Sequence, residues 1–315
     1  MRTEAILCVI LVAAIVVISV IEPSFYSYET LALITILSAE LGFIALGQAF
    51  VIASGEIDLS AAAVLSLSLW VYDGFATGLG FSLPLAVIPT LILALCIGFI
   101  HGYLSLKMDI PGFIVTFVGM VIWKGILTAI TQGEHEGYLG DKSTWFTNFL
   151  QGYFGPVPGV FLWFIVFTAA FTVLLTRTRF GNHVLAVGGN LTVARNIGVR
   201  IERTKILCFM LSSLMAALGG IVMIIEYKVM QPTAGMVAVF GAGLEFEAIA
   251  VCMMSGIAPR GGRTSFFAIF IATLAYSSFK SGLVLFGLPG YWYLPFTGIM
   301  TFILVALHLV GRKKD

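Results

Sequence analysis

Apolar runs of about twenty residues recur along the whole 315-residue chain, separated by short polar breaks. A helix rises 1.5 Å per residue, so about 20 residues cross a ~30 Å hydrocarbon core. Backbone inside lipid must satisfy its own hydrogen bonds, which makes runs of this length helical. Ten such segments can be drawn, near 5–21, 31–54, 59–77, 83–106, 112–131, 158–175, 206–225, 236–255, 264–285 and 293–310. With 59% hydrophobic and only 10% charged residues, the chain lacks the polar surface of a soluble domain. The expectation is an all-α polytopic membrane protein, one domain over 1–315 with about ten spans, some broken or re-entrant.

The first segment follows Arg2 and has no small-residue cleavage site after it, so it reads as a retained helix rather than a signal peptide. Lys and Arg orient the rest. An N-terminus in the cytoplasm puts Arg2, Lys107, the set Arg177, Arg179, Arg195, Arg200, Arg203 and Lys205, then Arg260, Arg263 and Arg312 to Lys314 on one side. Only Lys142 and Lys228, with Lys280 near a segment end, fall on the other. Both termini are therefore expected in the cytoplasm. Cys8, Cys96, Cys208 and Cys252 lie far apart within apolar runs and imply neither a disulfide framework nor a metal site. The outer loop 132–157 carries Trp145, Phe146, Phe149 and Tyr153, which suit an aromatic belt at the interface or a contact for an external partner.

Between the second and third segments stands Ser54-Gly55-Glu56-Ile57-Asp58-Leu59-Ser60. Asp58 suits a helix N-cap and Gly55 a tight turn before it. One reading is a wet polar turn at the surface. The other is a broken helix whose half-helix N-terminus points at a hydrated path, as discontinuous helices in transporters do. A second acidic stretch, "GAGLEFEAIA", also runs from glycine through carboxylates into small residues. Glu245 and Glu247 there are about 200° apart on a helix and cannot both face one pore.

Ionisable groups deep in a bilayer cost about 2.5–3.5 kcal/mol each on insertion scales and usually face the bundle interior. Glu40 sits ten residues into its segment, and Gln48 lies two turns further on nearly the same face. Both can hydrogen-bond a polyol, or clamp two helices together. Glu40, Gln48, Asp58, Ser60, Glu245 and Glu247 are thus the candidates for a substrate path. His101 and Lys124 lie nearer segment ends and receive no role.

The basic loop 177–205 reads "RTRFGNHVLAVGGNLTVARNIGVRIERTK". Asn190 is a good N-cap for a helix over 191–197, and Gly198 suits the left-handed position that ends it. Leu191, Ala194 and Ile197 would form a small apolar side. One reading is a basic anchor that fixes topology; the other is a rigid knob for a groove on another protein.

"GGN…AR…G" between two spans resembles the coupling loop of ATP-binding-cassette importer permeases, specifically the branch for ribose, xylose, galactose and autoinducer-2. "GQAFVIASGEIDLSAAAVLSLS", "IPGFIVTFVGMVIWKGI", "GAGLEFEAIA" and "SGLVLFGLPGYW" are similar to that branch in the same order, from about residue 30 to 300. Several residues depart from its pattern: Glu40 for a neutral polar residue, Glu56 and Ala62 for glycines, Ser255-Gly256 for Gly-Gly, and Lys280 for Asn. The resemblance implies a sugar-importer permease of the prokaryotic cytoplasmic membrane, with Gly189, Asn190, Ala194, Arg195 and Gly198 coupling it to a motor. It implies a second permease copy or paralogue, cytoplasmic ATP-binding subunits and an extracytoplasmic sugar-binding protein. Membrane lipid is a further partner, and nucleic acid is not. ATP and Mg would sit on the partner ATPase, with no cofactor on this chain.

The residues agree with that division of labour. No Gly-x-x-x-x-Gly-Lys-[Ser/Thr], nucleophile elbow, HExxH or His/Cys cluster occurs. Energy must come from a separate subunit or from an ion gradient. An ion-coupled secondary transporter, with Glu40, Asp58 or Glu247 titrating, is the alternative; it leaves the capped basic loop unexplained. An intramembrane enzyme lacks a nucleophile or metal set.

Overall fold

The computed structural model describes residues 2–132, 136–137, 144–155, 157–227, 229–230, 243–258 and 261–288, with 292, 295–296, 298–299 and 302. Twelve α-helices run through these residues: α1 (Arg2–Ile21), α2 (Tyr28–Ala53), α3 (Ala61–Asp73), α4 (Leu83–Lys107), α5 (Gly112–Thr131), α6 (Trp145–Gln151), α7 (Gly159–Arg177), α8 (Arg179–Gly189), α9 (Leu191–Asn196), α10 (Ile201–Tyr227), α11 (Leu244–Met254) and α12 (Phe266–Leu285). The few strand residues form two two-residue pairings, Glu136–Gly137 with Val229–Met230 and Tyr153–Phe154 with Val157–Pro158.

Among the described residues six helices, α2, α4, α5, α7, α10 and α12, are long and apolar enough to cross a membrane, and α1 adds a shorter apolar stretch over Leu7–Ile21. The fold class is the expected one, an all-α polytopic membrane protein. The segment drawn at 59–77 divides into the 13-residue α3 and a π-helical turn over Gly74–Gly78. The segment drawn at 236–255 is described only from 243, where Gly243 at φ +86° precedes the 11-residue α11. The last segment falls almost wholly outside the described residues.

Burial ranks the helices. The apolar windows of α2 and α10 are each 78% buried, against 17% for α5, so α2 and α10 form the centre and α5 an edge. Helix α10 packs on α2, α3 and α4, while α12 packs on α1 and α2. With no hydrophobic difference between helix and lipid, close packing carries association, and small residues permit it. A Cβ at Gly98 of α4 would sit 2.6 Å from the Phe209 carbonyl of α10, and one at Gly47 of α2 2.9 Å from the Ser212 Cα. Both contacts require glycine.

At one end of the bundle, Phe50 of α2 is ringed by Phe171 of α7, Phe180 of α8 and Phe266 of α12, with centroids 5.1, 5.9 and 4.8 Å away. These contacts seat α8 on the last turn of α2. The 54–60 break and the basic loop therefore meet at the same end of the molecule.

Candidate functional site

The basic loop folds into two helices rather than one. Helix α8 opens with the Thr178 side chain accepting from the Gly181 N–H, 3.2 Å, and was not foreseen. Helix α9 follows the expected design closely. Asn190 Oδ1 accepts from the Val193 N–H at 3.0 Å. At the other end Gly198, at φ +81°, donates to the Arg195 carbonyl and Val199 to the Ala194 carbonyl, both 3.0 Å. That pair of bonds is the Schellman arrangement, which satisfies carbonyls a helix end otherwise leaves open. Ala194 is fully buried against Val187 and Val199, so it belongs to the inner side of the knob. Leu191, Val193 and Ile197 are 47%, 54% and 67% exposed. The apolar surface offered outward is thus Leu191, Val193 and Ile197, not a stripe through Ala194.

The knob is wedged against the break. A Cβ at Gly188 would overlap the Ala53 carbonyl oxygen, the last of α2, and would approach the Gly262 nitrogen at 2.6 Å. Gly262 itself donates to that Ala53 carbonyl at 3.0 Å. Gly261, at φ +79°, lies with its Cβ position 2.6 Å from the same oxygen and 2.8 Å from the Gly55 nitrogen. Three backbones converge here with no side chain between them.

The break is held from the other side as well. Glu56 Oε1 pairs with Lys205 Nζ of α10 at 2.6 Å, and Glu56 Oε2 accepts from the Gly112 N–H that opens α5, 2.9 Å. Leu59 N–H donates to Thr116 Oγ1 of α5 at 3.0 Å. Asp58 is completely buried, so the wet-turn reading does not describe it. Nor does Asp58 cap α3 directly: Ser60 holds the N-cap position without a side-chain cap bond. Instead Asp58 Oδ1 accepts from the Ser60 N–H at 2.8 Å and the Ser60 hydroxyl at 2.6 Å, a local turn that shapes the approach to α3. Of the candidate path residues, Asp58 and Ser60 are thus brought together, beside His101, whose Nδ1 lies 3.1 Å from Ser60 Oγ.

Glu245 and Glu247 diverge, as their helical spacing requires. Glu245 reaches Lys124 of α5 at 3.4 Å, and Glu247 reaches Lys280 of α12 through both oxygens at 2.9 and 3.1 Å. Glu40 accepts from the Tyr227 hydroxyl at 3.1 Å. Gln48 is buried on the same helix, and its amide oxygen and nitrogen make no hydrogen bond among the described residues; the hydroxyls of Ser68, Ser212 and Ser213 are alike in this. Gln48 neighbours the Gly47–Ser212 crossing of α2 and α10.

Two departures from the resembled pattern, Glu56 and Lys280, now have partners. An acid introduced at 56 meets Lys205, and a lysine introduced at 280 meets Glu247. Lys124, Lys205 and His101 were missed as site residues. The signal present in the sequence was the lysine within or beside an apolar run: Lys124 and Lys280 find an acid on another helix and Lys205 one in the break, whereas Lys107 reaches Tyr103 of its own helix. Replacing Glu56 by Gln keeps its bond to Gly112 but leaves the largely buried Lys205 unpaired. We expect a loss of about 3 kcal/mol, the lower end for breaking a buried pair, measured as the shift in detergent unfolding relative to the parent.

Comparison with known proteins places this arrangement in context. Residues 30–305 match the family described as branched-chain amino acid transport system / permease component. The chain is 32% identical over 303 residues to the ribose import permease protein RbsC of Bacillus subtilis, covering 96% of this chain and 90% of that one. It is 30% identical over 297 residues to the autoinducer 2 import system permease protein LsrC of Photorhabdus luminescens, covering 94% and 86%. It is 28% identical over 337 residues to the xylose transport system permease protein XylH of Haemophilus influenzae, with 87% of each covered. No solved structure matches the chain. The matched span takes in the break, the double-helix knob and the paired carboxylates alike, and the chain belongs to this family of transport-system permease components: it is a multi-pass transport protein of the cytoplasmic membrane, not an enzyme.

Proposed function

We propose that this permease is the membrane subunit of an ATP-binding-cassette importer for a monosaccharide or a related polyol. The observation that carries the reading is the knob: a short helix capped at both ends, with Leu191, Val193 and Ile197 outward and its base locked through Gly188 to the Ala53 carbonyl. A rigid projection seated on the end of a central helix is suited to receive force from another protein and pass it inward. Two cytoplasmic ATP-binding subunits, carrying ATP and Mg, would supply that force. A second copy or paralogue of this chain would complete the cavity, and an extracytoplasmic binding protein would deliver the cargo.

In this reading both termini and the knob lie in the cytoplasm. Helix α1, the six long helices, α3 with its π turn and α11 would supply nine of the ten spans drawn from the sequence; the tenth, near 293–310, lies almost wholly outside the described residues. The cargo class follows from the ribose, xylose and autoinducer names of the relatives. It also agrees with the buried side chains of Gln48, Ser68, Ser212 and Ser213, since buried polar groups need partners and the hydroxyls of a sugar or water can be those partners. Glu40 adds a carboxylate on the same central helix. Asp58, Ser60, Glu245 and Glu247 are engaged with protein partners and would shape the path rather than hold cargo directly.

Arg195 lies in the last turn of α9, and Gly198 ends the helix at a φ that proline cannot adopt. Arg195→Glu and Gly198→Pro are expected to leave the protein in the membrane and folded while cutting ATP-driven uptake at least about tenfold, equivalent to roughly 1.4 kcal/mol of coupling. Uptake into proteoliposomes holding the assembled complex is the measurement. Parental uptake in both variants would count against the knob as the receiving surface. Uphill uptake by this chain alone, driven by a proton gradient and abolished by an uncoupler, would overturn the importer reading itself.

A further inference from the structure

We propose that His101 is a positioning residue of the transport cycle, a neutral imidazole that ties the start of α3 to α5. It rests on the importer reading for its functional consequence, but not for its chemistry. The imidazole is buried on α4. Its Nε2 lies 3.2 Å from Trp123 Nε1 of α5, and its Nδ1 lies 3.1 Å from Ser60 Oγ. An indole N–H can only donate, so Nε2 must accept and carries no proton. The ring proton is then assigned to Nδ1, which donates to Ser60 Oγ; the serine hydroxyl in turn donates to Asp58 Oδ1 at 2.6 Å. Every donor in the series Trp123, His101, Ser60, Asp58 has one acceptor, and the direction is fixed from end to end. Reversing any one member would set two donors or two acceptors face to face.

The ring has been given its place by a missing side chain. A Cβ on Gly119, one turn before Trp123 on α5, would overlap His101 Nε2. With alanine there the ring could not sit where both bonds form. The bridge also stands where the break faces away from the knob, beyond the Glu56 and Leu59 contacts, at the start of α3. The Ala53 carbonyl meets Gly188 and Gly262 on one side, whereas Ser60 meets α4 and, through the imidazole, α5 on the other. Displacement of the knob can reach α5 directly, through Glu56–Gly112 and Leu59–Thr116, and at the start of α3 through this bridge, which adds a tie by way of α4. His101 touches no cargo in this scheme. It keeps α3, α4 and α5 moving as one block.

Two measurements test the proposal. In the complete complex with this chain alone labelled with 15N-histidine, subtraction of the spectrum of His101→Asn isolates one of its four histidines. The Nδ1–H tautomer is expected, and an Nε2–H tautomer or an imidazolium overturns the assignment. This readout does not depend on what drives transport. Separately, solute imported per ATP hydrolysed is compared for Gly119→Ala and Trp123→Phe. Alanine raises the helix propensity of α5, so Gly119→Ala displaces the ring without weakening that helix. The ratio is expected to fall roughly two- to tenfold in each variant, the span of one net hydrogen bond. A parental ratio in both variants would show that the bridge transmits nothing, whatever the tautomer; absence of ATP-driven uptake in the parent would instead remove the importer reading and leave the tautomer result standing.

Discussion

Gly188→Val is expected to disable transport and to lower stability together, the largest effect of any single substitution in the knob. The new Cβ would overlap the Ala53 carbonyl oxygen and crowd the Gly262 nitrogen, and the three atoms nearest to it are all backbone. No rotamer change can relieve that. Helix α8 must back away from α2, the Gly262 to Ala53 hydrogen bond at 3.0 Å lengthens or breaks, and α8 also shifts against the Phe50 ring cluster. Overpacking of this kind costs about 1–3 kcal/mol, and a lost buried hydrogen bond adds about 1 kcal/mol. Detergent melting and proteoliposome uptake should both drop, uptake by more than about tenfold. Gly189 is the internal contrast, since a Cβ there meets nothing within 4 Å; Gly189→Ala should melt with the parent. Equal melting and equal uptake for Gly188→Val and the parent would mean that the knob and α2 are not locked together.

The second large effect concerns Glu247 and Lys280. Their side chains are 8% and 18% exposed, and both carboxylate oxygens lie on the ammonium. Breaking a buried pair from one side strands the other charge and costs about 3–5 kcal/mol, whereas removing both charges is often near neutral. Lys280→Met should therefore be strongly destabilising, and Lys280→Met with Glu247→Gln should recover most of the loss. The double-mutant cycle, read from unfolding midpoints, isolates the pair. Additive losses would show that the two residues do not depend on each other.

Comparison of sequence with structure shows where local rules suffice. Helix α9 was legible almost to the residue, because its caps are local: Asn190 acts on a donor three residues away, and Gly198 supplies a φ no other residue adopts easily. The divergence of Glu245 and Glu247 was legible for the same reason, being a matter of helical phase. The direction of Ala194 was not. Whether a position on a short helix faces a partner or its own protein depends on where Val187 and Val199 fall in space. Asp58 shows a mixed case. A turn at 54–60 could be read, yet the choice between a wet surface and a buried corner needed α4, α5 and α10 around it.

By itself the chain determined that it would be helical and membrane-spanning, because a bilayer of fixed thickness and a backbone that must bond to itself admit little else. It determined the break, the capped loop and the presence of carboxylates in apolar surroundings. Tertiary structure alone decided their partners. Glu56 finds Lys205 across 149 residues, and Lys124 finds Glu245 across 121. The backbone wedge at Gly188 and the imidazole beside Gly119 likewise exist only once helices have packed. Short-range patterns fix each helix's own geometry, but the rotation and depth at which one helix meets another are set by the whole bundle at once.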